Sequence, residues 1–408
     1  MEASDPVVLR RSLGLPLLTL YGLGTIIGAG IYVLIGKVAG NAGEFAPLSF
    51  LIAAGIAALT GVSYARLSKR IPLSAGEAAY ANAALGRRWV TSIVGWSVVV
   101  TGIVSAAAIA TGFVGYLHVY APIPDSVAIT VLVLSLGAVA MWGIAQSVTV
   151  AAIMTLIEIG GLVFVIVVGA DAVTDFASTW TDLIPSWDAD AWHGILLGSV
   201  LAFYAFIGFE DIVNVAEEAK QPKRDLPLAI VLSMVIAITL YLLISVVASY
   251  ALSPAELAAS DAPLATILER HGFDPRLSIG LISILAVTNG ALIQLIMSSR
   301  VMYGMSAQGH APKPLGTLHP RRQTPTLATA LATGVILLLA LGFPIETLAR
   351  ATSVITLFVF SVVNFSAIAL DVAAGDTTNR FSLANLTSFA GMSTAILLMI
   401  WQLWALLP

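Results

Sequence analysis

Carboxylates inside apolar segments are the first residues of this chain that could do chemistry. Glu158 lies in TLIEIGG, in an apolar run with no Lys or Arg at comparable depth, and Glu210 and Asp211 follow Gly208 in FYAFIGFED. A charged side chain in a hydrocarbon layer is costly, so such residues commonly belong to ion or substrate pathways. Desolvation favours the protonated form of Glu158, which suits a group that takes up a proton and releases it when water arrives. The structural alternative is a glutamate hydrogen-bonded between helices.

Backbone amides are the second candidate chemistry. The segment GLGTIIGAGIY, residues 22–32, carries glycine at Gly22, Gly24, Gly28 and Gly30. A glycine inside a helix costs about 1 kcal/mol relative to alanine, so four of them predict an interrupted helix. A break at Gly28-Ala29-Gly30 would expose N–H groups that suit a carboxylate. The alternative is a small-xxx-small packing face, which is the better explanation for Gly22 and Gly24.

Membrane spans must position these groups. The chain has 408 residues, of which 58% are hydrophobic and only 10% are charged, and its mean hydropathy is +0.95. Apolar runs long enough to cross a bilayer recur along the whole length. They predict an all-α polytopic membrane protein with a single transmembrane domain over residues 1–408 and about eleven spans. The predicted spans are Leu13–Val38, Pro47–Leu67, Val90–Leu117, Ser126–Trp142, Val148–Ala170, His193–Val215, Leu226–Leu252, Leu277–Met305, Pro325–Phe343, Leu348–Leu370 and Phe381–Leu407.

Basic residues predict the orientation of these spans. With the N-terminus in the cytoplasm, 15 of the 19 Lys and Arg residues fall on the cytoplasmic side, and Arg380 before the last span is one of them. The external side keeps Lys37, Arg270, Arg276 and Arg350. An odd number of spans then places the C-terminus outside.

Two polar segments are expected on the cytoplasmic side. The segment 216–227, AEEAKQPKRDLP, alternates in charge and is expected to be a solvated loop closed by a salt bridge. The segment 69–88 is expected to form an interfacial helix near the inner mouth of the protein.

The two candidate breaks lie five spans apart. Span 1 is interrupted at Gly28-Ala29-Gly30, and span 6 at Gly208, before Glu210 and Asp211. Transporters built from inverted repeats have glycine- or proline-broken helices in corresponding positions of their two halves. The pattern therefore predicts repeats over residues 13–170 and 193–370, with residues 381–407 as an extra peripheral helix.

Three motifs resemble the amino acid permeases of the amino acid-polyamine-organocation (APC) superfamily. They are GLGTIIGAGIYVLIGKVAG at 22–40, FYAFIGFEDIVNVAEEAKQPKRDLPLAI at 203–230, and SRVMYGMSAQG followed by PKPLGTLHPRRQTP within 299–325. The resemblance covers nearly the whole chain. It implies the leucine-transporter-type fold, in which spans 1–5 and 6–10 form inverted repeats, and secondary transport of an amino acid.

The resemblance also implies a substrate site at the two breaks. The substrate carboxylate would meet N–H groups of Gly28, Ala29 and Gly30, and its amino group would meet carbonyls of the unwound stretch of span 6. Phe206 would be an aromatic lid on the outer side. The implied substrate-binding residues are Ile27, Gly28, Ala29, Gly30, Phe203, Ala205, Phe206, Ile207 and Gly208.

Ion coupling is predicted at four residues. Some proton-coupled relatives place a lysine in the region of span 5 where this chain has Glu158. Glu158 is expected either to take a proton itself or to share a sodium site with Thr288, Asn289 and the carbonyls near Gly24 to Ile27. Two roles stay open for Glu210. It is either a proton-sensitive inner gate, which the resemblance supports, or a cap on the inner half of span 6.

The remaining chemistry is excluded by what the sequence lacks. It has no cysteine, no pair of histidines at metal-binding spacing, no P-loop and no GxSxG motif, so neither a metal site, a cofactor nor an enzyme is predicted. A net charge of −4 without a basic stripe argues against nucleic acid as a partner.

A transporter is therefore the predicted class. We expect a proton-coupled symporter of a neutral amino acid in the cytoplasmic membrane, with an exchanger or a sodium-coupled symporter as alternatives. A channel is not predicted, because it would need a continuous polar stripe, which these spans lack.

Small residues of spans 3, 8 and 10 are expected to line the side-chain pocket: Thr101, Gly102, Ser105, Ala106, Ala107, Asn289, Ile293, Thr352 and Ser353. The oligomeric state is left open.

Overall fold

The computed structural model describes residues 9–118, 120–174, 178, 180–260, 262–274, 280–373 and 382–404. Within these ranges the ordered elements are helices, and one isolated bridge joins Leu13 to Ala219. The predicted span ends at Leu277, Phe381 and Leu407, and the basic residues Arg276 and Arg380, lie outside the described residues. The all-helical prediction is confirmed.

Eleven spans account for most of the described chain. Span 1 consists of two helices, Leu15–Ile26 and Ala29–Ala42. Span 6 consists of the helix Ala189–Tyr204 and the 3-10 segment Phe209–Glu218, which is kinked at Val215. The other spans are Ala46–Arg70 (span 2), Arg88–His118 (3), Asp125–Trp142 (4), Ile144–Val168 (5), Pro222–Ala251 (7), Leu281–Ala307 (8), Thr326–Gly342 (9), Ile345–Ala373 (10) and Leu383–Trp404 (11). In the described part of the chain, nine helical segments have the length and composition to cross a membrane, and Leu15–Ile26 and Thr326–Gly342 are shorter apolar helices.

Glycine lets spans 1 and 6 pack closely on their neighbours. A side chain at Gly22 would lie 2.3 Å from Cδ1 of Ile212 in span 6, and one at Gly24 would lie 2.3 Å from Oγ1 of Thr155 in span 5. A glycine at these two positions is therefore required by helix packing, as the sequence indicated, and not by the break itself.

The inner half of span 6 is more deeply buried than the sequence predicted. Residues 216–219 were expected to be solvated, but Glu218 is fully buried and its Oε1 lies 3.4 Å from Nε of the equally buried Arg300. The backbone explains the burial: the N–H groups of Ser12 and Leu13 both donate to the Glu218 carbonyl, at 2.9 and 3.0 Å. The expected solvated loop is therefore wrong for the first half of the segment 216–227, which is packed into the protein.

The helix Gly76–Leu85 packs against spans 3, 6 and 10, and its Tyr80 contacts Tyr64 of span 2. Its first six residues are buried, so it is an internal helix and not one that rests on the membrane surface. The loop before it is held by three hydrogen bonds: Ser74 N–H donates to Glu217 Oε1, the Ser74 carbonyl accepts from Gln308, and Gly76 N–H donates to Asn214 Oδ1. The sequence therefore predicted a helix in this segment correctly, but its predicted interfacial position is wrong.

Two short helices, Pro254–Ala259 and Pro263–Arg270, connect spans 7 and 8. A capping box between Ser253 and Glu256 begins the first helix, and Arg270 forms an ion pair with Glu256. We call residues 253–260 and 262–274 the outer segment. Five spans separate it from the helix Gly76–Leu85, so the two lie at opposite ends of the spans, and both of its helices pack on the second helix of span 1.

Candidate functional site

A cavity of about 140 Å³ lies where the breaks of spans 1 and 6 meet. Spans 3, 8 and 10 complete its wall. Its lining residues are Thr25, Ile26, Gly28, Ser105, Ile109, Tyr204, Ala205, Ile207, Gly290, Gln294 and Thr352. All of these side chains are uncharged, and we call this space the central cavity.

The span 1 side of the central cavity offers a helix N-terminus. The first helix ends at Ile26, Ile27 caps it, and the second helix begins at Ala29 with Gly28 at its N-cap. No side chain caps this second helix, so its first N–H groups have no side-chain partner. A Cβ at Gly28 would meet no atom closer than the Thr25 carbonyl oxygen at 3.7 Å, so the space beside Gly28 is open. Gly30 follows in the first turn of the same helix.

The span 6 side of the central cavity is a set of tight turns. The N–H groups of Ala205, Phe206 and Ile207 each donate to a carbonyl three residues earlier, as in a 3-10 helix, and Gly208 then adopts a φ of +131°. A side chain at Gly208 would be strained by this φ and would lie 2.7 Å from the backbone of Thr25. The hydroxyl of Thr25 donates to the Gly208 carbonyl at 2.9 Å and shares its proton with the Gly22 carbonyl of its own helix at the same distance, so a hydrogen bond joins the two breaks.

Aromatic residues around the span 6 break divide into two groups. Phe206 is buried and its ring centroid is 5.0 Å from that of Tyr241, whose hydroxyl donates to the Ile26 carbonyl. Phe203 packs on Phe360. The aromatic ring that borders the central cavity belongs to Tyr204, which the sequence did not indicate.

Glu158 is fully buried in span 5 and faces span 8. Its Oε1 accepts a hydrogen bond from Asn289 Nδ2 at 2.9 Å, and the same nitrogen lies 2.9 Å from Thr155 Oγ1. The second oxygen of Glu158 and the amide oxygen of Asn289 have no hydrogen-bond partner among the described residues. Gly24 packs on this group, because a side chain there would clash with Thr155 and Asn289. Glu158, Asn289 and Thr155 therefore form a small cluster beside the first helix of span 1.

Thr288 does not join the cluster. Its hydroxyl donates to the Ile284 carbonyl of its own helix at 2.7 Å. The polar neighbour that the sequence did not indicate is Thr155, three residues before Glu158 and on the same helix face. Its position could have been inferred from that spacing.

Glu210 and Asp211 have separate partners below the central cavity. Glu210 Oε2 accepts the Gly208 N–H at 2.8 Å, so this side chain caps the break. Asp211 Oδ2 accepts from Gln294 Nε2 at 2.7 Å. Gln294 also lines the central cavity, although nothing except its polarity in an apolar span marked it in the sequence.

The small residues predicted for the side-chain pocket are only partly brought together. Ser105 and Thr352 line the central cavity. Gly102 packs on Ser298 of span 8, and Ala106 and Ala107 are buried in the core with Ile293. Thr101 lines a different, smaller cavity.

Comparisons with known proteins agree with this geometry. A family model described as amino acid permease matches residues 13–406. The branched-chain amino acid permease BcaP of Bacillus subtilis is 29% identical, with 94% of this chain and 86% of that protein aligned. The methylthioribose transporter of the same organism is 29% identical, with 89% of this chain and 81% of that protein aligned. The vacuolar cationic amino acid transporter 4 of Arabidopsis thaliana is 31% identical over 89% of this chain, which spans 64% of that longer protein.

The fold is shared with a solved transporter. The crystal structure of MhsT in complex with L-phenylalanine superposes with a TM-score of 0.64 at 15% sequence identity, covering 98% of this chain and 100% of that chain. The arrangement is thus the leucine-transporter-type fold, in which broken helices bound a central cavity. The chain belongs to the amino acid permease family of the APC superfamily, and it is a multi-pass membrane transporter and not an enzyme.

Proposed function

We propose that this protein is a secondary active transporter that moves a neutral amino acid across the cytoplasmic membrane by alternating access, coupled to protons. The observation that carries the proposal is the central cavity, where an uncapped helix N-terminus meets an unwound stretch of span 6. A zwitterion has the complementary charges for these two backbone surfaces.

The substrate carboxylate is assigned to the N–H groups at Gly28, Ala29 and Gly30. These amides begin a helix without a side-chain cap, and an anion there gains from both hydrogen bonds and the helix dipole. The ammonium group is assigned to the carbonyl side of span 6, where Ala205 and Ile207 line the cavity.

A neutral side chain fits the walls of the central cavity. Ser105, Ile109 and Thr352 form the wall away from the breaks, and no residue that lines the cavity carries a charge. A cationic side chain would lose hydration without gaining a carboxylate partner, which costs binding energy. A relative named for branched-chain amino acids supports this choice, and a relative named for cationic amino acids supplies the alternative.

Proton coupling is assigned to Glu158. Its carboxyl group is buried, receives one hydrogen bond from Asn289 and has no cationic partner among its described contacts. A lone buried carboxyl is uncharged unless water or a cation reaches it, so loading and unloading of a proton can follow the opening of the site to each side. Glu210 is assigned a gating role through its bond to the break at Gly208.

Sodium coupling is the second candidate. Glu158 Oε2 and Asn289 Oδ1 are buried oxygens without hydrogen-bond partners among the described residues, and oxygen atoms are the ligands that hard cations prefer. A sodium ion at this cluster would use Glu158, Asn289 and Thr155 and would leave out Thr288.

Uptake into proteoliposomes tests both candidates. Purified protein is reconstituted, pH and sodium gradients are imposed separately, and uptake of labelled neutral, cationic and acidic amino acids and of methylthioribose is measured. We expect saturable uptake of a neutral amino acid that follows the pH gradient and persists without sodium. Uptake that follows only the sodium gradient selects the second candidate, and saturable uptake of no amino acid contradicts the proposal.

The orientation belongs to the same proposal. A cytoplasmic N-terminus and an external C-terminus follow from the distribution of Lys and Arg in the sequence. Labelling of a cysteine introduced at Lys220 or at Glu269, two exposed positions on opposite sides, checks it in intact cells, because the natural sequence has no cysteine. A membrane-impermeant reagent is expected to label only the variant at position 269.

A further inference from the structure

A second cavity, of about 20 Å³, lies between the helix Gly76–Leu85 and the inner half of span 6. Its polar lining consists of Glu77, Thr101, Glu210, Asp211 and Thr356. We call this space the inner cavity. It has room for one water molecule, since one water needs on the order of 10–15 Å³ of such space.

Three oxygen atoms that belong to lining residues of the inner cavity have no hydrogen-bond partner among the described residues. They are Oε2 of Glu77 and the hydroxyls of Thr101 and Thr356. Glu77 is 1% exposed and Thr356 is 3% exposed, so bulk water does not satisfy these two side chains. Buried polar atoms nearly always have partners, and three unpartnered oxygens around one small space indicate a small polar ligand.

The charges around the inner cavity are all of one kind. Glu77 faces Glu210 and Asp211 of span 6, and span 2 contributes the hydroxyl of Tyr64, 3.5 Å from Glu77 Oε1. Tyr80 is the neighbouring titratable group on the helix of Glu77 itself. Three carboxyl groups around one buried space cannot all be ionised, because each charge raises the cost of the next.

Neutral and hydroxyl groups complete the surroundings of Glu77. Asn214 Nδ2 donates to Glu77 Oε1 at 3.3 Å, and spans 3 and 10 present Thr101 and Thr356 to the cavity. Among the described residues, no group of three acidic or histidine side chains has the spacing to hold a metal ion. None of the lining residues described for the inner cavity is basic, so the lining itself supplies no positive charge, and protonation is the way in which these carboxyl groups lose their charge.

Glu77 is the member of the group that lies outside the apolar spans. Burial raises the pKa of Glu77 to about 8, and the charge of Glu210 acts in the same direction. A carboxyl with this pKa is mostly protonated at pH 7 and ionises when the pH rises through 8.

A hydrogen bond connects the inner cavity to the central cavity. Gln294 lines the central cavity and donates to Asp211, which lines the inner cavity, at 2.7 Å. The Oε1 atom of Gln294 has no partner among the described residues. A substrate that binds the Gln294 amide therefore changes the hydrogen bond that Asp211 receives in the inner cavity.

We propose that the inner cavity is a second proton-binding site, separate from Glu158, in which Glu77 takes up a proton from the cytoplasmic side. The proposal includes its linkage to substrate binding through Asp211 and Gln294, and this linkage rests on the transport function proposed above. Protonation of Glu77 keeps the helix Gly76–Leu85 docked on span 6, and ionisation adds a like charge beside Glu210 and favours its release.

Infrared difference spectroscopy tests the site without any transport assay. The carbonyl stretch of protonated carboxyl groups is followed in purified protein while the pH is stepped through 8. Other buried carboxyl groups, Glu158 among them, absorb in the same region, so we expect the natural protein to lose with rising pH a band that is missing in Glu77→Gln and remains in Glu217→Gln. Glu217 is the matched control. Its carboxyl group accepts a hydrogen bond from the Ser74 N–H, just before the helix of Glu77, but it does not line the inner cavity.

A second variant protects the test against a folding failure of Glu77→Gln. Thr356→Val keeps the shape of the side chain but removes a hydroxyl that lines the inner cavity, so the ionised form of Glu77 loses a donor that is available to it, directly or through a water, within the cavity. We expect the midpoint of the same band to move to higher pH. If the natural protein and Glu77→Gln lose the same total intensity as the pH is raised through 8, or if the midpoint of the Glu77 band does not move in Thr356→Val, the proposal is overturned. Loss of the band on addition of sodium at constant pH also overturns it, since the site would then bind a cation.

The linkage is tested in proteoliposomes with a varied internal pH. We expect amino acid exchange by the natural protein to change in rate as internal pH passes through 8, and this dependence to be absent in Glu77→Gln. If the natural protein transports no amino acid, the transport proposal fails while the infrared titration still decides the proton site. If it transports and Glu77→Gln keeps the natural pH dependence, the linkage is wrong.

Discussion

The Thr25 hydroxyl donates to the Gly208 carbonyl across 2.9 Å and thereby joins the breaks of spans 1 and 6. Removing this bond in Thr25→Val is expected to lower the free energy of unfolding by about 0.5–1.5 kcal/mol, the usual net value of one hydrogen bond. It is also expected to raise the KM for substrate, because the two halves of the site are no longer fixed relative to each other. Thermal unfolding in detergent and uptake kinetics measure the two effects. Thr25→Ser keeps the hydroxyl and is expected to restore both.

Gly24 and Gly28 are expected to respond differently to the same substitution. In Gly24→Ala the new Cβ lies 2.3 Å from Thr155 Oγ1, so the free energy of unfolding should fall by about 1–3 kcal/mol, as for other overpacked sites. In Gly28→Ala the nearest atom is 3.7 Å away, and folding should be unchanged. The methyl group beside the exposed amides should weaken substrate affinity about tenfold, or about 1.4 kcal/mol. Thermal unfolding and substrate-induced thermal shifts measure these effects; equal behaviour of the two variants would contradict the division of roles.

Glu158→Gln is expected to abolish accumulation of substrate against a gradient and to leave exchange partly intact. The amide retains hydrogen bonding with Asn289 but cannot release a proton. Uptake and counterflow in proteoliposomes separate the two activities. Thr288→Val is the matched control, because the Thr288 hydroxyl bonds only the Ile284 carbonyl in the described structure and its loss should change neither activity. A Gln variant that still concentrates substrate with the natural pH dependence would show that Glu158 does not couple transport to protons.

The buried pair of Arg300 and Glu218 should be sensitive to loss of one partner and tolerant to loss of both. Both side chains are fully buried, so Arg300→Met alone or Glu218→Leu alone leaves one uncompensated charge. We expect each single variant to lower the free energy of unfolding by about 3–5 kcal/mol and the double variant to recover most of it. Thermal unfolding of the three variants forms a double-mutant cycle. Additive losses would show that the two side chains do not interact.

His271 should make the outer segment sensitive to pH. The Ile267 carbonyl and the Asp171 carboxylate, 2.8 and 3.0 Å from its two ring nitrogens, raise the pKa of His271 above its usual value of 6.5. A raised pKa in the folded state stabilises the fold fully below pH 6.5, and the stabilisation is lost as the pH rises through the raised value. Amide hydrogen exchange in residues 263–274, corrected for intrinsic rates, should therefore be slower at the lower pH. His271→Gln should remove this difference, and protection that does not change with pH in the natural protein would contradict the assignment.

The sequence was sufficient for the helical fold and for both breaks. Apolar runs of membrane-spanning length recur in the chain, and the glycines at 28 and 208 lie where the helices end. The partner break in span 6 assigned Gly28 to the interruption and left Gly22 and Gly24 to helix packing. A side chain at Gly22 or Gly24 would clash with a neighbouring span, whereas the space beside Gly28 is open.

Long-range contacts account for what the sequence did not reveal. Charges in the segment 216–227 predicted solvation, but Glu218 finds Arg300 82 positions away, a pairing that no local pattern specifies. Tyr204 and Phe206 are two positions apart, and the rotation of the helix end decides that Tyr204 borders the central cavity. Thr155 and not Thr288 meets Asn289, because the packing of span 5 on span 8 selects the face.

The 3-10 form of the segment Phe209–Glu218 has a mechanical consequence. The segment is kinked at Val215, and each 3-10 residue on either side of the kink rises about 2.0 Å against about 1.5 Å in an α-helix, so the segment is longer than the same residues in an α-helix. The segment is fixed to span 1 at Gly208 and to span 8 at Glu218. A change to α-helix would shorten the segment and pull on both attachments, so one of the two bonds must lengthen or break when the segment rewinds.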